Sequence, residues 1–294
     1  MDTEKEKIGF VTDEIGDIPE DITNENKISV VRFKLDFQDL SEIPGNVYEK
    51  IREGERRGIK NLLIKTSQPS INDFLSVFKE KLKEFEEILC ITFSSKVSGA
   101  YNSALQAKKF LEKELQDRVH IFDSLRGTGC EGLMVLKAIA LAKEKMAIPD
   151  IISTLAEELP NNNMAATYKN SKWLEASGRF PTVGNMIINR IEKMNIKPIF
   201  GFKNGKLNII ALKKNVREIS IALFEEFEKA TKNAREAGRK IKVAIAHADN
   251  VEQAEKLKAM VLSLKNTEIV FVNFVSFPIG GHIGPDSMTL SWDQ

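Results

Sequence analysis

The chain has 294 residues, enough for two domains and a core that needs neither disulfides nor metals. Lys and Arg number 43 against 42 Asp and Glu, so no global field draws it to nucleic acid or to an acidic membrane. Two cysteines, Cys90 and Cys130, and three histidines, His120, His247 and His282, lack ligand-type spacing, which argues against a metal enzyme and for two buried thiols. No cofactor is expected.

The first residues, MDTEKEKIGF, are charged and lead straight into an apolar run, unlike a secretion signal, so a cytoplasmic protein is expected. The longest apolar stretch, Gly132 to Ala142, is too short for a bilayer, so no membrane span is expected; transient contact with a membrane surface stays open.

In chain order, strand-like runs cover Ile8 to Val11, Val30 to Leu35, Leu62 to Ile64, Ile88 to Phe93 and Val119 to Phe122, with helical patterns after several of them. This alternation predicts an α/β fold with a mainly parallel sheet, helices on both faces, and ligand loops at the strands' carboxyl ends. Ala104, Ala107, Leu111 and Leu115 form one stripe of a helix from about Ala100 to Leu115. The stretch Gly132 to Met146 is apolar on several faces, as suits a helix between layers or beside a ligand tunnel.

The turn cluster Pro160-Asn161-Asn162-Asn163 places a boundary between a first domain, 1–160, and a second, 161–294. Beyond it, Asn204-Gly205 between apolar runs signals a hairpin. Helices at Val216 to Ala230 and Ala254 to Leu264 alternate with strands Val243 to Ala246 and Ile269 to Val275. The second domain is thus a mixed sheet covered by helices.

Two hydroxyl-rich segments precede helical runs: Lys65-Thr66-Ser67-Gln68-Pro69-Ser70 and Ser94-Ser95-Lys96-Val97-Ser98-Gly99. Read alone they are helix caps, with Ser70 and Asp73 as a capping box and Ser98 as an N-cap. On one sheet edge they could instead hold an anion, although the P-loop spacing is absent. His120 and His247 sit in or at the end of apolar strands and read as structural, whereas His282 lies among Gly280, Gly281, Gly284 and Pro285, where backbone or ligand can approach closely.

Thr12-Asp13, Gly16-Asp17-Ile18-Pro19, Thr66-Ser67-Gln68-Pro69-Ser70, Ser94-Ser95-Lys96-Val97-Ser98-Gly99, Asp123-Ser124, Gly178-Arg179, Lys197-Pro198 and His282-x-Gly284-Pro285 together resemble the ordered motifs of the DegV family. The resemblance implies a protein that holds a long-chain fatty acid such as palmitate, stearate or oleate between two α/β domains. It also implies a substrate-presenting role, without catalysis of its own, for an ATP-dependent fatty acid kinase subunit that makes acyl phosphate. Carried onto this chain, the carboxylate contacts are Thr66, Ser98 and His282, with Ser67, Ser95, Gly99 and Gly281 around them and Arg179 and Arg217 as contacts for the kinase or its phosphate.

Departures from the family pattern are Glu14, Ala100, Ser177 and Asp286-Ser287, and Asp286 brings a carboxylate toward the expected anion site. Two alternatives remain: a hydrolase using Ser98, His282 and Asp123 or Asp286, and a lipid-dependent interaction protein using the basic segment Lys203 to Lys242.

Overall fold

The computed structural model describes residues 6–173 and 194–294. Strands β1 (Glu6–Asp13), β2 (Ser29–Val31), β5 (Phe85–Thr92) and β6 (Val119–Asp123) form a parallel sheet in the order β2-β1-β5-β6. Helices Ile71–Glu84 and Ala100–Lys109 cover one face through Phe74, Phe78, Ala104 and Ala107. Helices Gly129–Lys143 and Ile148–Glu158 cover the other through Met134, Val135, Ile148 and Leu155. This is the predicted first half.

The expected strand Val30 to Leu35 divides in two, because β2 joins the parallel sheet while β3 (Lys34–Asp36) leaves it. Leu62 to Ile64 is not a strand. The extended segment is β4 (Lys65–Ser67), which pairs antiparallel with β3 in a separate two-stranded ribbon, with Leu35 opposite Thr66. Ile64 turns inward onto Tyr48 and Ile51 of the helix Val47–Arg56, so the apolar run marked a packing site rather than a strand. The two hydroxyl segments therefore do not share a sheet edge. The helix from Ala100 also stops at Lys109, before a short helix, Lys113–Gln116.

From Asn162 onward the chain builds a six-stranded mixed sheet, β11-β10-β12-β7-β8-β9. These strands are β7 (Asn162–Thr167), β8 (Ile196–Lys203), β9 (Lys206–Lys214), β10 (Ile241–His247), β11 (Thr267–Phe274) and β12 (Met288–Asp293). Only β10 and β11 run parallel in it. The predicted hairpin is β8–β9, with Asn204 at φ 51 and Gly205 at φ 77, the pair of positive values that a two-residue turn matched to strand twist requires.

Helices Ile219–Glu236 and Val251–Leu262 bury Leu223, Phe227, Leu257 and Val261 against Val243, Leu290 and Trp292 on one face of this sheet. On its other face Ala244 and Phe271 receive Leu133. The helix Gly129–Lys143 is thus sandwiched between the two sheets, which is why its apolar residues circle it. No described helix is long and apolar enough to cross a membrane.

Candidate functional site

Where the sheets meet lies an apolar cleft that opens to solvent on one side. Phe93 and Val97 from the end of β5, Met164, Ala166 and Tyr168 around β7, Phe200 and Phe202 of β8, and Ile279 and Ile283 of the last helix line it. Alternation in β8 explains part of this wall: Ile199 enters the core beneath helix Ile219–Glu236, while Phe200 and Phe202 face the cleft. His282 closes one side and is 9% exposed.

His282 sits in the helix Phe277–Ile283, and its Nε2 lies 2.9 Å from Thr66 Oγ1 on β4. Residues 216 positions apart thus form one polar pair beside the apolar cleft. Gly281 packs against Ile64, which precedes β4 and brings the two segments close. Gly280 is required by contact: a Cβ there would lie 2.2 Å from Tyr48 Oη. Gly280→Ala should break the 2.7 Å hydrogen bond that Tyr48 donates to the Val275 carbonyl, costing about 2 kcal/mol and lowering Tm in a thermal melt.

Ser98 is half-buried, and its Oγ accepts from Ala100 N–H at 3.2 Å, so it caps locally although the N-cap position belongs to Gly99. No described hydrogen bond joins Ser98 to Thr66 or His282. The two hydroxyl segments meet instead through Gln68, whose Oε1 accepts from Gly99 N–H at 3.0 Å and whose Nε2 reaches Ser103 Oγ at 3.4 Å. Ser70 and Asp73 form the predicted capping box, and Ser67 is exposed.

Ser95 donates its N–H to Asp123, and buried Ser94 donates Oγ–H to the Gly205 carbonyl at 2.6 Å, seating the β8–β9 turn on this segment. Arg217 is exposed on the connection between β9 and the helix Ile219–Glu236. Arg179 and Ser177 lie outside the described residues.

A group of buried acids underlies the site. Asp13 accepts from Phe93 N–H at 2.9 Å and Ile15 N–H at 3.0 Å, fixing the turn from β5 into the Ser94 segment. Glu131 accepts from Thr12 Oγ–H at 3.0 Å, and its carboxyl also interacts with that of Asp13. Asp17 accepts from Ser276 N–H at 2.7 Å, just before the helix that carries His282. Burial pushes Asp13 up to about 7, and it raises Asp17 and Glu131 well above the ordinary carboxylate range.

The described bonds assemble no hydrolytic relay: His282 Nε2 faces Thr66, Asp123 accepts backbone N–H groups of Ser95 and Leu125, and Asp286 pairs with Arg52. His120 bonds Glu87 and His247 accepts from Asn250 N–H, in keeping with structural roles. Cys90 and Cys130 are buried free thiols. In the basic segment, Lys213 pairs with Glu225 and Glu226, and Lys240 with Glu268. Glu14 is taken up by Phe33 N–H, and Ala100 is fully buried in the core beside the parallel sheet.

A parallel sheet joined to a mixed one, with an apolar cleft at the seam and a hydroxyl–imidazole pair beside it, defines a two-sheet α/β protein. Residues 7–294 match the model of the DegV family, described as uncharacterised, and the chain belongs to that family. It is 29% identical to a DegV domain-containing protein of Caldanaerobacter subterraneus over 98% of this chain and 99% of that one. It is 25% identical to a fatty acid-binding protein of Thermotoga maritima, covering 96% of each. The solved structure of a fatty-acid-binding DegV family protein from Thermus thermophilus superposes with a TM-score of 0.82 at 25% identity, covering 98% of this chain and 99% of that one.

Proposed function

We propose that this chain binds a long-chain fatty acid such as palmitate, stearate or oleate, its tail in the apolar cleft and its carboxylate at Thr66, His282 and Ser98. The observation that carries the reading is the Thr66–His282 pair, 2.9 Å apart, beside a cleft lined almost entirely by carbon. The Thermus and Thermotoga relatives, whose names record fatty acid binding, support it. Burying some ten methylenes at about 0.8 kcal/mol each supplies about 8 kcal/mol before binding costs, against about 1.5 to 3 kcal/mol per hydrogen bond to the carboxylate. The tail sets affinity and the head sets register.

Such register suits presentation of the carboxylate to a separate ATP-dependent kinase subunit that forms acyl phosphate; the chain itself catalyses nothing. Thr66→Ala and His282→Ala should each weaken oleate binding about tenfold or more in a displacement assay with a fluorescent fatty acid. Ser98→Ala should weaken it less, because Ser98 stands apart from the Thr66–His282 pair, although its Oγ accepts from Ala100 N–H and keeps its own proton to donate. Acyl phosphate should appear only when kinase and ATP are added, and wild-type behaviour of both Thr66→Ala and His282→Ala in both assays would refute the assignment.

A further inference from the structure

The helix Val47–Arg56, capped by Asn46 and Glu49, places Tyr48 and Arg52 one turn apart on the same face. Each grips the segment that carries His282, from opposite flanks. Tyr48 donates to the Val275 carbonyl just before the helix Phe277–Ile283. Arg52 Nε donates to Asp249 Oδ2 at 2.8 Å, and its Nη2 donates to the Asp249 carbonyl at 3.1 Å and to Asp286 Oδ1 at 3.0 Å, just after that helix.

The loop so held is stapled further: Asp286 N–H donates to the Ala248 carbonyl at 2.7 Å, and Asn250 Nδ2 donates to the Asp286 carbonyl at 3.1 Å. Asp286 takes the left-handed conformation, φ 66, which an aspartate tolerates better than most residues. Arg52, Asp249 and Asp286 side chains are 36 to 40% exposed, so the ion pairs add little to global stability. Their consequence is local: Asp286, four residues after His282, and Asp249 are met by one guanidinium.

We propose that Arg52 is a positioning residue for the head-group site. It offsets part of the negative charge of Asp249 and Asp286, so that a ligand carboxylate reaches Thr66 and His282 against less repulsion. The inference rests on the reading that those two residues hold the carboxylate.

The test is oleate affinity, by displacement of a fluorescent fatty acid from the purified full chain, for wild type, Arg52→Ala, Arg52→Lys and the double variant Arg52→Ala with Asp286→Asn. Arg52→Ala should weaken binding about five- to tenfold at low ionic strength, and the loss should shrink near 1 M salt, where screening acts within about 3 Å. Arg52→Lys and the double variant should recover most of the affinity, as loss of packing alone would not. Wild-type affinity in Arg52→Ala, or a double variant as weak as Arg52→Ala, would overturn the proposal. Arg52→Gln applies the same charge test if Arg52→Ala does not fold. Thr66→Ala and His282→Ala run in parallel: if they bind as wild type, the head-group reading fails, and if only they weaken, the role of Arg52 alone fails.

Discussion

Unfolding free energy should fall as pH rises from about 4 to about 7, with the buried acids of the site as the cause. Below its ordinary value of 3.8, Asp13 is protonated both folded and unfolded, and its burial carries no ionic penalty. Above 3.8 the unfolded chain ionises while folded Asp13 keeps its proton until about 7, so stability drains across that window and then levels. That gap, at about 1.36 kcal/mol per pH unit, is on the order of 4 kcal/mol. Asp17 and Glu131, also raised, act in the same sense.

Glu53, Asp73 and Glu218 are lowered, chiefly by side-chain hydrogen bonds from Arg57, Ser70 and Lys256, and pull the other way, but solvent screens them. Urea denaturation at pH 5 and pH 8 measures the slope. Glu131→Gln should flatten it, since an amide can accept from Thr12 and donate to Asp13 without a proton to lose. A stability that climbs from pH 5 to pH 8 in the wild type would contradict this account of the acids.

Filling the cleft should have the larger effect on binding. Ala166 lines it on β7, opposite Phe200 and Thr289 in the sheet, where Ala166→Trp would project an indole into the space a tail needs. Denying burial to only four methylenes removes about 3 kcal/mol, on the order of 100-fold in Kd. Because the indole enters existing space, Tm should fall little or rise. Isothermal titration with oleate reads the affinity, and tight binding by Ala166→Trp would place the tail elsewhere.

The pattern of strands and helices was largely legible, since β1 and β5 are buried along most of their length and read as apolar runs, while Asn204-Gly205 announced the hairpin. The failures fall where local pattern and tertiary role diverge. Val30 to Leu35 is β-prone throughout yet serves two sheets, and Leu62 to Ile64 is apolar because it packs on a helix.

Thr66 and His282 could be paired in advance only through the motifs of a family, since 216 residues separate them. Tyr48, Gln68 and Arg52 were missed. Tyr48 and Arg52 act across 227 and 234 residues, and Gln68 inside the Thr-Ser-Gln-Pro-Ser motif was hidden by its hydroxyl neighbours. Nothing in the spacing of Arg52 marked it as the counter-charge to Asp286. The cleft itself was invisible for the same reason: its walls come from both sheets and from the last helix.

The most direct measurement is mass spectrometry of lipid released from the purified wild-type chain beside Ala166→Trp. The account predicts a long-chain fatty acid, in near-stoichiometric amount, from the wild type and its loss from the variant. No fatty acid in the wild type, together with no uptake of added palmitate, stearate or oleate, would contradict it.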